Sequence, residues 1–377
     1  MEAPLLQVRV LNSYGDIDPL EWDALVGDRS PFLEHTFLFG LERFDCAVPE
    51  SGWMPRPVIV CDSTGSLVAG APGWVKTHSM GEFVYDHAWA DAARRAGFRY
   101  YPKLVVAVPF TPVTGDRLLI ATNTDADEAR KALLAGLRAA AEGCHGLHIL
   151  FNPEREAQQL EAAGSFTRLQ YQFQWINQGY NSFDDFLGQF RSRHRKKIRR
   201  ERRDAGQLQI ETIQAPSAAA VEAMHGFYRN TCAQFGHWGR VYLSEDFFRH
   251  LQQTWGHRLV LVLARHHGEV VAGAFNVVKG DRLYGRYWGC AEEVKFLHFE
   301  VCYYQTIDFC IERGLKVFEP GHGGGHKYRR GFEPTLTYSS HWLTDERLHE
   351  GLRHHTLAES VAVRRQATAL TEQSPLK

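Results

Sequence analysis

The feature that most constrains this chain is a repeat of itself. Residues 65–76 read GSLVAGAPGWVK and residues 268–279 read GEVVAGAFNVVK, so Gly65, Val68, Ala69, Gly70, Ala71, Val75 and Lys76 recur 203 positions later. Each copy follows an apolar run, PVIVCD or RLVLVLA, and two strand-like runs around a glycine predict a β-hairpin in each half. A second echo follows in the same order: GLHILFNP (146–153) resembles GLKVFEPG (314–321), a short strand after a helical stretch that stops at glycine. Self-similarity at so long a period means a duplicated domain rather than a solenoid. The fold class expected is α/β (α+β), two tandem domains of mixed sheet flanked by helices. The boundaries read as 1–175 for the first domain, 176–345 for the second, and 346–377 for an amphipathic C-terminal helix and tail.

Size and composition agree with two cores. The 377 residues exceed what one core usually organises. With 44% apolar and 23% charged residues the chain has an ordinary globular make-up. No apolar run approaches the ~18 residues of a spanning helix. The opening MEAPLLQVRV lacks a basic segment followed by an apolar one, so a cytoplasmic protein is expected. Seven scattered cysteines without a CxxC pair suit reduced thiols. The 19 histidines form close pairs without further ligands at metal-site spacing, so no metal is expected. Thr124, Ser182 and Ser244 read as helix N-caps.

Charge is concentrated in one place. Residues 191–203, RSRHRKKIRRERR, carry nine Lys/Arg against one Glu in a chain of net charge −1. A solvated helix face is one reading. The other is a phosphate-rich ligand, because Arg forks chelate phosphate oxygens and a local positive field steers polyanions. Arg193, Lys196, Lys197 and Arg200, with Arg330 further on, are the candidate donor- or phosphate-binding residues. Without a helix-turn-helix or zinc-finger pattern, DNA is not an expected partner.

Three polar segments carry groups able to accept a proton or to donate to a developing oxyanion or a phosphate. In GHGGGHKYRRGF (321–332), His322, His326, Lys327, Arg329 and Arg330 follow a strand, and glycines let backbone amides approach a ligand. In HFEVCYYQ (298–305), His298, Glu300, Tyr303 and Tyr304 open a helix, and a carboxylate in an apolar segment must be paired or held as a base. Upstream, LYGRYWGC alternates so that Tyr284, Arg286 and Trp288 should share one strand face. In GEFVYDHAWADA (81–92), Asp86 and His87 are candidate substrate contacts, with structural roles the competing reading.

The strings YYPKLVVAVPFTPVTGDRLL, SFDDFL with the basic run after it, LYGRYWGC, FLHFEVCYYQ, and HKYRRGFEP followed by TYSSHW resemble the FemAB-like, peptidoglycan-biosynthesis-related family of GNAT N-acyltransferases, over about residues 20–345. The resemblance implies two tandem GNAT-like domains and transfer of an acyl or aminoacyl group onto an amine of a small-molecule or cell-wall-type precursor. Acyl-CoA or aminoacyl-tRNA is the implied co-substrate, with no bound cofactor. Lys327 is the nearest match to the lysine that assists transfer in Fem-type enzymes, with His326, Glu300 and His298 beside it as catalytic candidates. Tyr284, Arg286, Trp288 and Tyr303 are candidate substrate contacts. The chain departs from the relatives at AEEVKFLHFE (291–300), where an acetyl-CoA-dependent GNAT has a glycine-bearing pyrophosphate loop, and at Gly323 and Gly325, where the family carries Gln and Glu. The long helical arm of Fem proteins is also missing. The alternative is a non-catalytic FemAB-like protein that holds tRNA or a phosphate-rich lipid or nucleotide.

Overall fold

The computed structural model describes residues 6–234 and 239–377. Its strands, in chain order, are β1 (Gln7–Val10), β2 (Trp53–Pro55), β3 (Val58–Cys61), β4 (Leu67–Ala71), β5 (Gly73–Lys76), β6 (Lys103–Val106), β7 (Leu119–Ile120), β8 (Gly146–Asn152), β9 (Phe166–Ile176), β10 (Gln209–Gln214), β11 (Leu259–His266), β12 (Glu269–Lys279), β13 (Arg282–Cys290), β14 (Val317–Glu319) and β15 (Glu333–Leu343). Both copies of the repeat are antiparallel hairpins, β3–β4 and β11–β12. Their turns match in detail: Gly65 has φ 87 and its repeat partner Gly268 has φ 88, a left-handed conformation that glycine alone takes without penalty.

The copies then diverge at one residue. Pro72 offers no N–H to a ladder, so the first copy breaks there into β4, in the sheet β1-β3-β4-β7, and β5, which pairs with β2 and β6. The second copy has Phe275 at that position and β12 runs on, with only a register shift against β13 between Phe275 and Asn276. In each half a parallel pair follows, β6 with β8 and β13 with β14. A helix makes each crossover, as parallel strands require: Ala126–Ala140 in the first half and the 297–312 helix in the second.

The next strand of each half is exchanged. β15 lies antiparallel to β8, and the end of β9 lies antiparallel to β14. The compact units are accordingly Met1–Gln170 with Leu336–Arg364, and Tyr171–Thr335 with Arg365–Lys377. This differs from the expected division at 345, because backbone pairing with β8 returns the second half of β15 and most of the helix Glu346–Glu372 to the first unit. The first unit buries Val58, Val60, Leu104, Leu133, Leu137 and Ile149 between helix and sheet. The second is aromatic, with Trp175, Phe186, Phe190, Tyr304, Phe318 and Phe332 in one cluster.

One connection is not duplicated. In the second half β12 passes to β13 through a two-residue turn, 280–281, whereas the equivalent β5–β6 link holds 26 residues, 77–102. Its segment from Gly81 to Asp86 is strained, with φ 80 at Gly81, 63 at Phe83 and 54 at Tyr85.

Candidate active site of the second unit

The pairing of β13 with β14 stops at Tyr284–Glu319 and the two chains part. That opening lies at the carboxyl ends of parallel strands, where ligands of α/β sheets commonly bind. On its β13 side is a bulge: Asn276 pairs with Gly285 and Phe275 with Tyr287, which leaves Arg286 as the extra residue. The bulge overturns the expected stripe of Tyr284, Arg286 and Trp288. Tyr284 and Trp288 end on opposite faces, since one added residue inverts the alternation. Tyr287 then packs on Tyr228 and Phe248, while Trp288 meets the His298 ring at 5.1 Å.

On the β14 side the chain turns through the glycines of 321–325 into Lys327. A Cβ on Gly321 would lie 3.2 Å from the Gly285 carbonyl, so this loop touches the bulge. Lys327 is 3% exposed, and its Nζ donates to Gly321 O at 2.7 Å and His322 O at 3.2 Å. Burial lowers its pKa to about 8. His326 meets Tyr303 through Nε2 and the phenol oxygen at 2.9 Å. Burial, then Arg330 and Lys327, depress His326 to about 4. Burial likewise takes His298 to about 3 and His322 to about 4. All three rings are therefore neutral near pH 7. Gly324 is required for this arrangement: at φ 82 a Cβ would lie 2.7 Å from His326 Cε1.

The helix behind these rings contains a π turn, Glu300–Tyr304, between helical segments Leu297–Phe299 and Gln305–Glu312. Such turns recur at functional sites. Here the consecutive Tyr303 and Tyr304 serve different partners: Tyr303 holds His326, and Tyr304 donates to Glu201 and accepts from Arg330 Nε at 3.0 Å. Beside them is a cavity of about 420 Å³ lined by Trp288, His298, Leu297, Val294, Glu292 and Glu293, among others.

The expected constellation forms in part. His298, His326, Lys327, Tyr303 and Trp288 come together. Glu300 is turned away from them: its Oε1 accepts from Arg202 at 3.1 Å and from Gln305 at 2.8 Å, and burial raises its pKa against the Arg202 charge. Arg330 does not serve as a phosphate ligand. At 4% exposure its guanidinium donates to Tyr304 OH, to His326 O at 2.8 Å and to Glu201 at 2.8 Å, and it stacks 3.3 Å from the Phe299 ring centroid. The other four basic candidates lie on the helix Ser192–Ala205, whose buried face is Ile198, Glu201 and Ala205. Arg193, Lys196, Lys197 and Arg200 are exposed. Glu201, which anchors Arg330, was visible in the sequence only as the single acid in a basic run.

Asp86 and His87 belong to the first unit. His87 is exposed at a helix start, but Asp86 is sealed inside. The buried Lys103 donates to Asp86, to Glu82 at 2.8 Å and to Ser79 at 3.0 Å, while Tyr100 donates to Asp86 at 2.6 Å. Burial would raise Asp86, but Lys103 holds it well below the usual carboxylate range. Burial raises Glu82 to about 7 and lowers the neighbouring Lys76 to about 7. Both carboxylates come from the 77–102 insertion, so this cluster is a core ion network rather than an open substrate wall.

The fold and the strand-end site together define an α/β protein of two units, each built from a hairpin followed by a helix-linked parallel strand pair. A family model of peptidoglycan biosynthesis/recognition proteins, FemAB-like, matches residues 13–377, and the chain belongs to that family. Among solved structures, FemX aligns at 12% identity and TM-score 0.54, covering 92% of this chain and 100% of FemX. The C-terminal domain of a putative lysylphosphatidylglycerol synthetase from Agrobacterium fabrum aligns at 9% identity and TM-score 0.52, over 93% of this chain and 98% of that one. L-PGS from Bacillus licheniformis aligns at 11% identity and TM-score 0.50, over 94% and 98%. At these identities the likeness is one of fold. A search of curated proteins found no match. Among the described residues no helix is long and apolar enough to cross a membrane.

Proposed function

We propose that the second unit is the catalytic centre of an N-acyltransferase that moves an acyl or aminoacyl group onto an amine of a small-molecule or cell-wall-type precursor. The observation that carries this is Lys327: a buried ammonium with two of its three hydrogens on loop carbonyls, beside a strand bulge and a neutral histidine. The third hydrogen is the donor for the oxyanion that forms when the amine attacks the acyl carbon. His326 accepts the proton that the nitrogen sheds, and the Tyr303 hydroxyl on its ring is a path for returning a proton to the leaving group. Tyr303, Trp288 and His298 wall the substrate. The family description supports a cell-wall precursor as the acceptor class.

The donor is held by the basic helix in this reading. Acyl-CoA fits the second unit poorly: the loop before the 297–312 helix exposes Glu292 and Glu293 where a pyrophosphate would sit. Its Leu297, Phe299 and Glu300 amides donate to Val294 and Phe296 carbonyls. A phosphate-bearing donor such as aminoacyl-tRNA, met by Arg193, Lys196, Lys197 and Arg200, suits the charge better. Replacing Lys327 by Met should lower turnover by roughly 10²–10³, measured by mass spectrometry of product from charged tRNA and an amine panel. Undiminished turnover removes Lys327 from the mechanism. Polyanion binding with no product from any donor would favour the non-catalytic binding protein.

A further inference from the structure

The basic helix is bolted to the candidate site by two consecutive residues of opposite sign. Glu201, 1% exposed, binds Arg330 and Tyr304. Arg202 binds Glu300, the first residue of the π turn, and Asp308. Arg330 in turn donates to the carbonyl of His326, one residue before Lys327. An unbroken chain therefore runs from the helix through Glu201, Arg330 and His326 to Tyr303. Arg330 on this chain donates to three acceptors and is stacked on Phe299. The outward face of the same helix presents Arg193, Lys196, Lys197 and Arg200. Lys197 also approaches the inner Glu201 at 3.9 Å, so one side chain reaches both surfaces.

We propose that Glu201 and Arg330 are positioning residues that couple docking of a soluble polyphosphate ligand on the outer face of the basic helix to the placement of His326 and Lys327. The proposal rests on the reading of this site as a transferase centre, and adds that donor docking and site geometry are one event. Drawing Lys197 outward onto a phosphate removes a positive charge from Glu201 and strengthens its hold on Arg330, which shifts the His326 backbone. The ligand is soluble rather than a membrane surface, because the helix exposes no apolar face with which to enter one: its buried residues are Ile198, Glu201 and Ala205.

The test uses the full chain with ¹³C-labelled histidine rings and inorganic tripolyphosphate as probe. In the unaltered protein, tripolyphosphate should bind in a salt-dependent manner and move the His326 ring signal. Glu201→Gln should keep the affinity within about threefold while reducing that movement at least about fivefold, since coupling energies and binding energies are separable. Arg330→Lys, which keeps the charge but lacks the fork, should behave alike and guards against a misfolded first variant. Arg193→Ala with Arg200→Ala should weaken binding and movement together. Movement undiminished in a folded Glu201→Gln or Arg330→Lys protein overturns the coupling. So does absence of binding, or binding that leaves His326 unmoved, in the unaltered chain, a result that needs no variant. Movement produced by phosphatidylglycerol vesicles but not by tripolyphosphate overturns the soluble ligand. A failed transfer assay with the coupling intact would instead count against the transferase reading alone.

Discussion

At the scale of single residues, Lys103 shows what a buried charge demands. It sits at 0% exposure against Glu82 and Asp86, so Lys103→Met leaves two carboxylates without their cation. Removing one partner of such a set costs about 3–5 kcal/mol, to be read as a loss of that size in urea denaturation. Glu82 gives a pH signature of its own. Its folded pKa is raised from 4.5 to about 7 by burial, so the folded state binds that proton more tightly than the unfolded one. The resulting stability is complete below about pH 4.5 and fades as pH rises through 7. The unaltered protein should therefore lose stability relative to Glu82→Gln across that window, and parallel curves would contradict the assignment. In the second unit, a neutral His326 and a protonated Lys327 coexist between about pH 4 and about pH 8. The kcat/KM profile for transfer should be bell-shaped with limbs near those values, and Lys327→Arg should carry the alkaline limb upward.

Among the elements, the two hairpins offer a matched pair. Gly65 and Gly268 sit at φ 87 and 88, and a Cβ on either would meet nothing within 4 Å. Backbone strain is then the whole effect, so Gly65→Ala and Gly268→Ala should each cost about 1 kcal/mol, and equally, in denaturant titrations. Unequal costs would mean that the turns are not equivalent. Caps were legible where the side chain competes alone: Ser182 and Ser244 cap as expected. Ahead of Ala126 the acceptor is Asp125 rather than Thr124, because a carboxylate next in line reaches both the Asp127 and Glu128 amides. The bulge at Arg286 and the π turn at Glu300 were not legible. Each inserts one residue into a regular period, and the alternation LYGRYWGC or the helical pattern of FLHFEVCYYQ reads the same with or without it. Those two insertions decide which aromatic rings face the site and which tyrosine meets His326.

For the whole molecule, the exchange of β9 and β15 means that neither half is a contiguous piece of chain. β8 is buried along all seven residues and takes β15 as its antiparallel neighbour. A fragment ending at residue 175 would leave that edge bare, and bare apolar edges aggregate. The fragment should be insoluble or poorly structured by circular dichroism, and fusing 336–364 to its end should restore folded material. A soluble, cooperatively melting 1–175 fragment would speak against the exchange.

The sequence alone determined the duplication, the two hairpins with their left-handed glycines, the helix signals and the clustering of His326, Lys327 and the basic run. All of these are local: a repeat, a turn residue or a charge density is written in neighbouring letters. Tertiary structure alone decided that Glu300 and Arg330 anchor the basic helix instead of meeting a ligand, that Asp86 closes a buried network with Lys103, and that β15 returns to the first unit. Those outcomes depend on partners 17 to 190 or so positions away, and the energy of a buried ion pair or a strand edge is set by the group that covers it.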